Sequence, residues 1–109
     1  MAIKANLVID QGTDYSTSIS LQNDQGEFAN LVGYTANAQI RKTYTSSNAH
    51  TFTTFVDDTS GIVLLSLTDT QTANISAGRY VYDVYLTDSL GVVSRIVEGI
   101  VTITPRVTR

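Results

Sequence analysis

The residue types that could do chemistry in this chain are few and far apart. General-base catalysis needs a group that titrates near neutrality and a partner that orients it. His50 is the only histidine. Its neighbours Asn48 and Thr51 belong to a polar stretch, Thr45 to Thr51, that reads as a loop, so a solvated imidazole is the ordinary reading. The numerous Ser and Thr hydroxyls have no base at a suggestive spacing and read as outward strand residues and turn formers. No catalytic residue is assigned, and the chain is not expected to be an enzyme.

Paired acids could instead hold calcium. Asp57-Asp58 precede Gly61, and Asp10 and Asp14 flank Gly12. Neither group offers the alternating oxygen donors of a calcium loop, so turn formation is the stronger reading and no metal or other cofactor is expected. There is no cysteine, which excludes thiolate metal sites and a disulfide in the core. Asn74-Ile75-Ser76 matches a glycosylation acceptor. The segment Met1 to Asp10 lacks the apolar run of a signal peptide, so the match reads as chance.

Composition narrows the class further. Apolar residues make up 42% and charged residues 16% of 109 residues, with a net charge of -3. That length predicts one domain, residues 1-109, burying roughly two-thirds of the surface its unfolded chain would expose. The seven basic residues are scattered, and only Arg41-Lys42 are adjacent, so no phosphate-binding stripe forms and nucleic acid is not an expected partner. The most apolar C-terminal run is broken by Arg95 and Glu98, so no membrane span is expected.

What must position any functional residue is a set of strands. Apolar and polar residues alternate over Ile3 to Asp10, Tyr15 to Leu21, Tyr34 to Arg41, Phe52 to Asp57, Ile62 to Leu67, Arg79 to Thr87 and Val92 to Thr104. A kink or bulge is expected at Gln11-Thr13, turns at Asn23-Gly26, Asp57-Gly61 and Asp88-Gly91, and a second bulge at Glu98-Gly99. Thr68-Asp69-Thr70-Gln71 has the form of a capping box, which predicts one helical turn from Asp69 to about Ile75. The expectation is an all-β, immunoglobulin-like sandwich of about seven antiparallel strands with one short helical crossing. Tyr80, just after the crossing, fits a tyrosine corner, with an ordinary core tyrosine as the alternative.

The outward positions yield the candidate interface. Arg41 and Asp83 point out from strands that neighbour each other in such a sheet and could form a cross-strand ion pair. Val81 and Tyr85 share their face. Ile62 and Leu64 stay outside if Val63, Leu65 and Leu67 point in. These six either form a contact surface or are covered by another strand or the tail. Tyr44, Phe55 and Tyr85 are the aromatic candidates for a glycan-binding module. Met1 to Ala5 and Pro105 to Arg109 could lie along a neighbour by strand addition.

The string Leu31-Val32-Gly33-Tyr34-Thr35-Ala36-Asn37-Ala38-Gln39-Ile40-Arg41-Lys42 resembles the L-T-G-Y-x-A-x-x-x-I-R strand of small tailed-bacteriophage virion proteins, among them the N-terminal immunoglobulin-like domain of baseplate upper proteins. Gly61 to Thr68 and Ala77 to Val84 fit in the same order. Arg95 to Pro105 is similar to short virion proteins of cyanophage-like myoviruses. The resemblance implies a non-enzymatic virion component made in the host cytoplasm. It would dock on other virion proteins in many copies, at the tail or baseplate or as a decoration of the capsid surface. Contact with a host-surface glycan is a further expectation.

Overall fold

A computed structural model describes residues 3–21, 31–57 and 61–107. In chain order these form β1 (Ile3–Lys4), β2 (Leu7–Asp10), β3 (Tyr15–Ser20), β4 (Thr35–Arg41), β5 (His50–Thr51), β6 (Thr53–Asp57), β7 (Ile62–Leu67), α1 (Asp69–Ala73), β8 (Gly78–Thr87) and β9 (Val93–Thr104). One sheet has the order β5-β4-β8-β9, with β1 and β2 following each other along the far edge of β9. The other has the order β3-β7-β6. The all-β, immunoglobulin-like sandwich is thus the observed fold. The expected turn at Asn23-Gly26, and residues 58–60 of the turn after Asp57, lie outside the described residues.

Period-2 alternation becomes alternation of faces. Ala36, Ala38 and Ile40 of β4 are buried, as are Tyr80, Tyr82, Val84 and Leu86 of β8, and Val63, Leu65 and Leu67 of β7. Their polar neighbours in sequence face out. The small side chains of Ala36 and Ala38 let the second sheet approach closely. The Phe52 amide donates to Ala38 O at 3.0 Å, and Thr54 Oγ1 donates to Ala36 O at 2.9 Å. The chain changes sheets at this point, and Phe52 fills the space edge-on to Tyr82, with ring centroids 6.3 Å apart.

The helical crossing forms as its sequence predicts. Thr68 Oγ1 accepts from the Gln71 amide at 3.2 Å, and Gln71 Oε1 accepts from the Thr68 amide at 2.8 Å. This reciprocal pair satisfies two of the donors that a helix start leaves free. The helix stops at Ala73, short of Ile75, which leaves it to enter the core fully buried. That burial stabilises by about 1.5–3 kcal/mol. Tyr80 Oη then donates to Ser76 O at 2.7 Å, so the tyrosine corner is present. After β8, Asp88 Oδ1 accepts from the amides of Leu90 and Val92, both at 2.9 Å, and Gly91 takes a φ of 85°. These bonds close the expected hairpin.

Three expectations are corrected. First, the strands are antiparallel except at one edge, where β1 and β2 run parallel to β9 (Ile3↔Val97, Leu7↔Val101). That direction delivers Gln11 and Thr13 to the crossing. Gln11 Nε2 donates to Ile75 O at 2.9 Å, and Thr72 Oγ1 donates to Thr13 O at 2.8 Å. Second, the strand expected over Ile3 to Asp10 is broken at Ala5-Asn6. The Ala5 amide donates to Glu98 O at 2.9 Å, and Asn6 Oδ1 accepts from the Ile100 amide at 3.1 Å. The side chain stands in for a ladder carbonyl, and Ile3 to Ala5 are bound to the chain's own sheet rather than free to reach a neighbour. Third, the bulge is at Ile96, not Glu98-Gly99. The register passes from Val84↔Val97 to Tyr85↔Arg95, while Gly99 stays in step opposite Tyr82.

Candidate functional site

The outward residues of β4, β8 and β9 form three rows across the first sheet. Register sets Asn37, Tyr85 and Arg95 in one row, Gln39, Asp83 and Glu98 in the next, and Arg41, Val81 and Ile100 in the third. Strand pairing therefore brings together four of the six candidate interface residues: Arg41, Val81, Asp83 and Tyr85. The other two, Ile62 and Leu64, lie on the outer face of the second sheet, on the opposite side of the sandwich. There Leu64 stands between Ser18 and Phe55. Alternation shows that a residue points outward; it does not show from which sheet.

The expected Arg41–Asp83 ion pair is replaced by another. Asp83 is opposite Gln39 and Arg41 opposite Val81, one step out of alignment. Arg41 donates to Ser46 O and to Gln39 Oε1 at 3.0 Å, so it ties the loop after β4 to the sheet. The partner of Asp83 is Arg95, which sequence reasoning missed, with Nε 3.5 Å from Oδ2. The unpaired Ile96 shifts Arg95 onto the outer face beside Tyr85. The sequence signal was the apolar phase change in β9, which was placed a few residues too late.

Arg95 is the hub of this face. It donates to Glu98 Oε2 at 2.8 Å and to Tyr85 Oη at 3.2 Å, and its guanidinium carbon lies 5.5 Å from the Tyr85 ring centroid. The Tyr85 hydrogen bond, then that of Glu98, hold its pKa above its already high ordinary value. Two acids, a ring and one cation thus form an exposed cluster of defined shape. Beside it Gln39, Arg41, Tyr44, Val81, Tyr85 and Arg95 surround an open depression of ≈ 320 Å³. Tyr44 is 65% exposed. Beneath the depression, Tyr82 is buried, and burial followed by the proximity of Tyr15 pushes its phenol up to about 12.

The other candidate residues are structural in their surroundings. His50 opens the edge strand β5 instead of lying in a loop, since its partner Ile40 is the next residue in the register that pairs Gln39 with Thr51. Its ring stands edge-on to Tyr80 at 6.4 Å. Lys42 Nζ lies over the same Tyr80 ring, 4.7 Å from its centroid. Asp10 Oδ1 accepts from Thr104 Oγ1 at 2.7 Å, and Asp14 Oδ1 from the Asp69 amide at 2.8 Å. Asp58 lies outside the described residues. Among the described residues no group of three or more His, Cys, Asp or Glu is placed to hold a metal ion.

Fold and face together define the class: an immunoglobulin-like β-sandwich with a polar, aromatic outer sheet face. Among solved structures the chain is similar to a mutant SrpA adhesin from Streptococcus sanguinis, with a TM-score of 0.54 and 11% identity over 92% of this chain. It spans 55% of the adhesin chain. An internalin-like protein of Listeria monocytogenes overlays with a TM-score of 0.49 and 15% identity, covering 96% of this chain and 28% of that one. At these identities the likeness to the adhesin speaks for the fold alone. No protein-family model matches the chain, and a search of curated proteins finds no match.

Proposed function

We propose that this chain is a non-enzymatic docking domain that holds its place in a larger assembly through the outer face of β4, β8 and β9. The observation that carries this reading is the makeup of that face. Two tyrosines, Tyr44 and Tyr85, and two arginines, Arg41 and Arg95, surround one open depression. Tyr and Arg are among the side chains enriched where proteins bind one another, because each combines a large apolar surface with a directed polar end. The hydrogen bonds of Arg41 and Arg95 hold the face in one shape, which lowers the entropy cost of docking.

The setting we infer is a tailed-phage virion, at the tail or baseplate, with the capsid surface as the alternative. The support is the resemblance of Leu31 to Lys42 and of Arg95 to Pro105 to such proteins. The partners are then other virion proteins, with no part for nucleic acid or membrane, and no cofactor. The test is reconstitution. Particles lacking the protein should take up the purified domain, and the Tyr85→Ala/Arg95→Ala double variant should not bind. Equal uptake of both would sink the assignment of the face, and no uptake of the parent chain would sink the virion setting.

A second reading is a host-surface glycan module, favoured by Tyr44 and Tyr85 lining a depression together with the hydrogen-bonding side chains of Gln39 and Asp83. A glycan array that stays silent with the parent chain removes it.

A further inference from the structure

The second sheet has one open edge that differs from every other edge among the described residues. Strand β3 reads Tyr15-Ser16-Thr17-Ser18-Ile19-Ser20. It contains no charge, no proline and no register shift, the devices that guard an edge against pairing. Its partner is β7, with Tyr15↔Leu67 through Ser20↔Ile62, and among the described residues no strand lies on its other side. The remaining edges are guarded. β5 is two residues long, and β1 and β2 are broken at Ala5-Asn6 and carry Lys4 and Asp10. β6 is closed against β4 through Phe52 and Thr54.

The register shows which backbone groups are open. The Leu21 amide donates to Gly61 O at 2.8 Å, which continues the same antiparallel ladder. In such a ladder alternate residues exchange both bonds with the partner and the ones between point both groups away. Tyr15, Thr17 and Ile19 therefore bond to β7, and Ser16, Ser18 and Ser20 turn their N–H and C=O groups to the open edge. The core is also open along this line. Tyr15, Thr17 and Ile19 remain half-buried, whereas Val63, Leu65 and Leu67, facing the same way one strand inward, are at most 3% exposed.

We propose that this edge pairs with the same edge of a second copy of the chain, antiparallel about Ser18. The sequence of β3 is complementary to itself under that two-fold. Ser16 meets the second copy's Ser20, Ser18 meets Ser18, and Thr17 lies opposite Ile19. Six N–H and C=O groups per copy gain partners, no like charges oppose each other, and no bulky side chain stands on the outer face. The second copy also covers the half-buried row. The proposal is independent of the docking face, which lies on the other sheet, so either can fail without the other.

The test is sedimentation of the full chain over a range of concentrations. The parent chain should pass from monomer to dimer. Ser18→Pro removes an N–H that the β3–β7 ladder does not use, and Ser18→Lys sets like charges face to face at the two-fold; each should abolish the dimer. Circular dichroism checks that the proline variant folds, and the lysine variant carries the test if it does not. Because the chain has no cysteine, Ser18→Cys should form a disulfide-linked dimer on mild oxidation, since paired residues there stand about 5.5 Å apart at Cα. Ser66→Cys, one strand inward, should stay monomeric. A parent chain that remains monomeric at its highest soluble concentration overturns the proposal, as does a dimer that survives both Ser18→Pro and Ser18→Lys.

Discussion

Tyr82 on β8 reaches across Gly99 on β9 to donate its hydroxyl to the carbonyl oxygen of Ala5, 2.6 Å away. A Cβ on Gly99 would collide with that same carbonyl and with the Ala5 backbone carbon. The glycine therefore serves close approach rather than a turn. The aromatic ring fills the surface the glycine leaves bare, and its hydroxyl satisfies the carbonyl freed where β1 ends.

Gly99→Ala should consequently destabilise the fold by about 1–3 kcal/mol, the usual cost of forcing an extra carbon into a packed site. Tyr82→Phe, which keeps the ring and leaves the Ala5 carbonyl unpaired, should cost about 1–3 kcal/mol. Urea unfolding of both variants checks the pair, and a neutral Gly99→Ala would refute the close-approach account.

The Tyr82 hydroxyl also makes stability depend on alkaline pH. Burial raises its pKa from 10.0 to about 12 in the folded chain. The folded state holds the proton more tightly than the unfolded state does. The contribution is thus fully present below pH 10 and is lost as pH rises through about 12. Thermal unfolding over that window should show a falling midpoint that Tyr82→Phe flattens. Ultraviolet absorbance should show the Tyr82 phenolate, absent from the Tyr82→Phe variant, appearing only as pH approaches about 12.

The crossing rests on two local bonds that can be removed one at a time. Tyr80→Phe should cost about 1 kcal/mol through the lost bond to Ser76. Thr68→Ala should cost about 0.5–2 kcal/mol through the lost helix cap. Chemical denaturation measures both. Because the two groups lie on either side of α1 with separate partners, their effects should add within about 0.5 kcal/mol in the double variant.

Arg95→Ala separates stability from docking. Its ion pairs are exposed, and solvent and salt screen such pairs so that they add little to stability. Unfolding should therefore shift little, while binding through the outer face should fall. A large loss of stability would instead make Arg95 a structural residue.

What the sequence made legible was what depends on near neighbours. The alternation in Tyr34 to Arg41 foretold the buried Ala36, Ala38 and Ile40, and the Thr68/Gln71 spacing foretold the cap. Tyr80 was placed correctly because its bond partner is four residues away. What was not legible depends on register between distant segments. Asp83 pairs with Arg95 only because one unmatched residue, Ile96, slips β9 by a single step, and such a slip changes which side chains meet. The parallel direction of β1 and β2 leaves no trace in their letters, since a strand reads the same in either orientation. Ile62 and Leu64 were recognised as outward, but their sheet was set by topology.

The parallel edge governs how the domain would bear force. Ile3 lies beside Val97, and Asp10 beside Thr104, so the first strands and the last point the same way. A pull that draws the two ends apart slides β2 along β9, straining all the bonds of that ladder at once instead of opening them one after another. A hairpin pulled from its two free ends would instead unzip. A chain tethered at both ends should therefore resist extension with a single high rupture force, and single-molecule stretching should find that force sharply reduced when Asn6→Ala or Gly99→Ala loosens the seam.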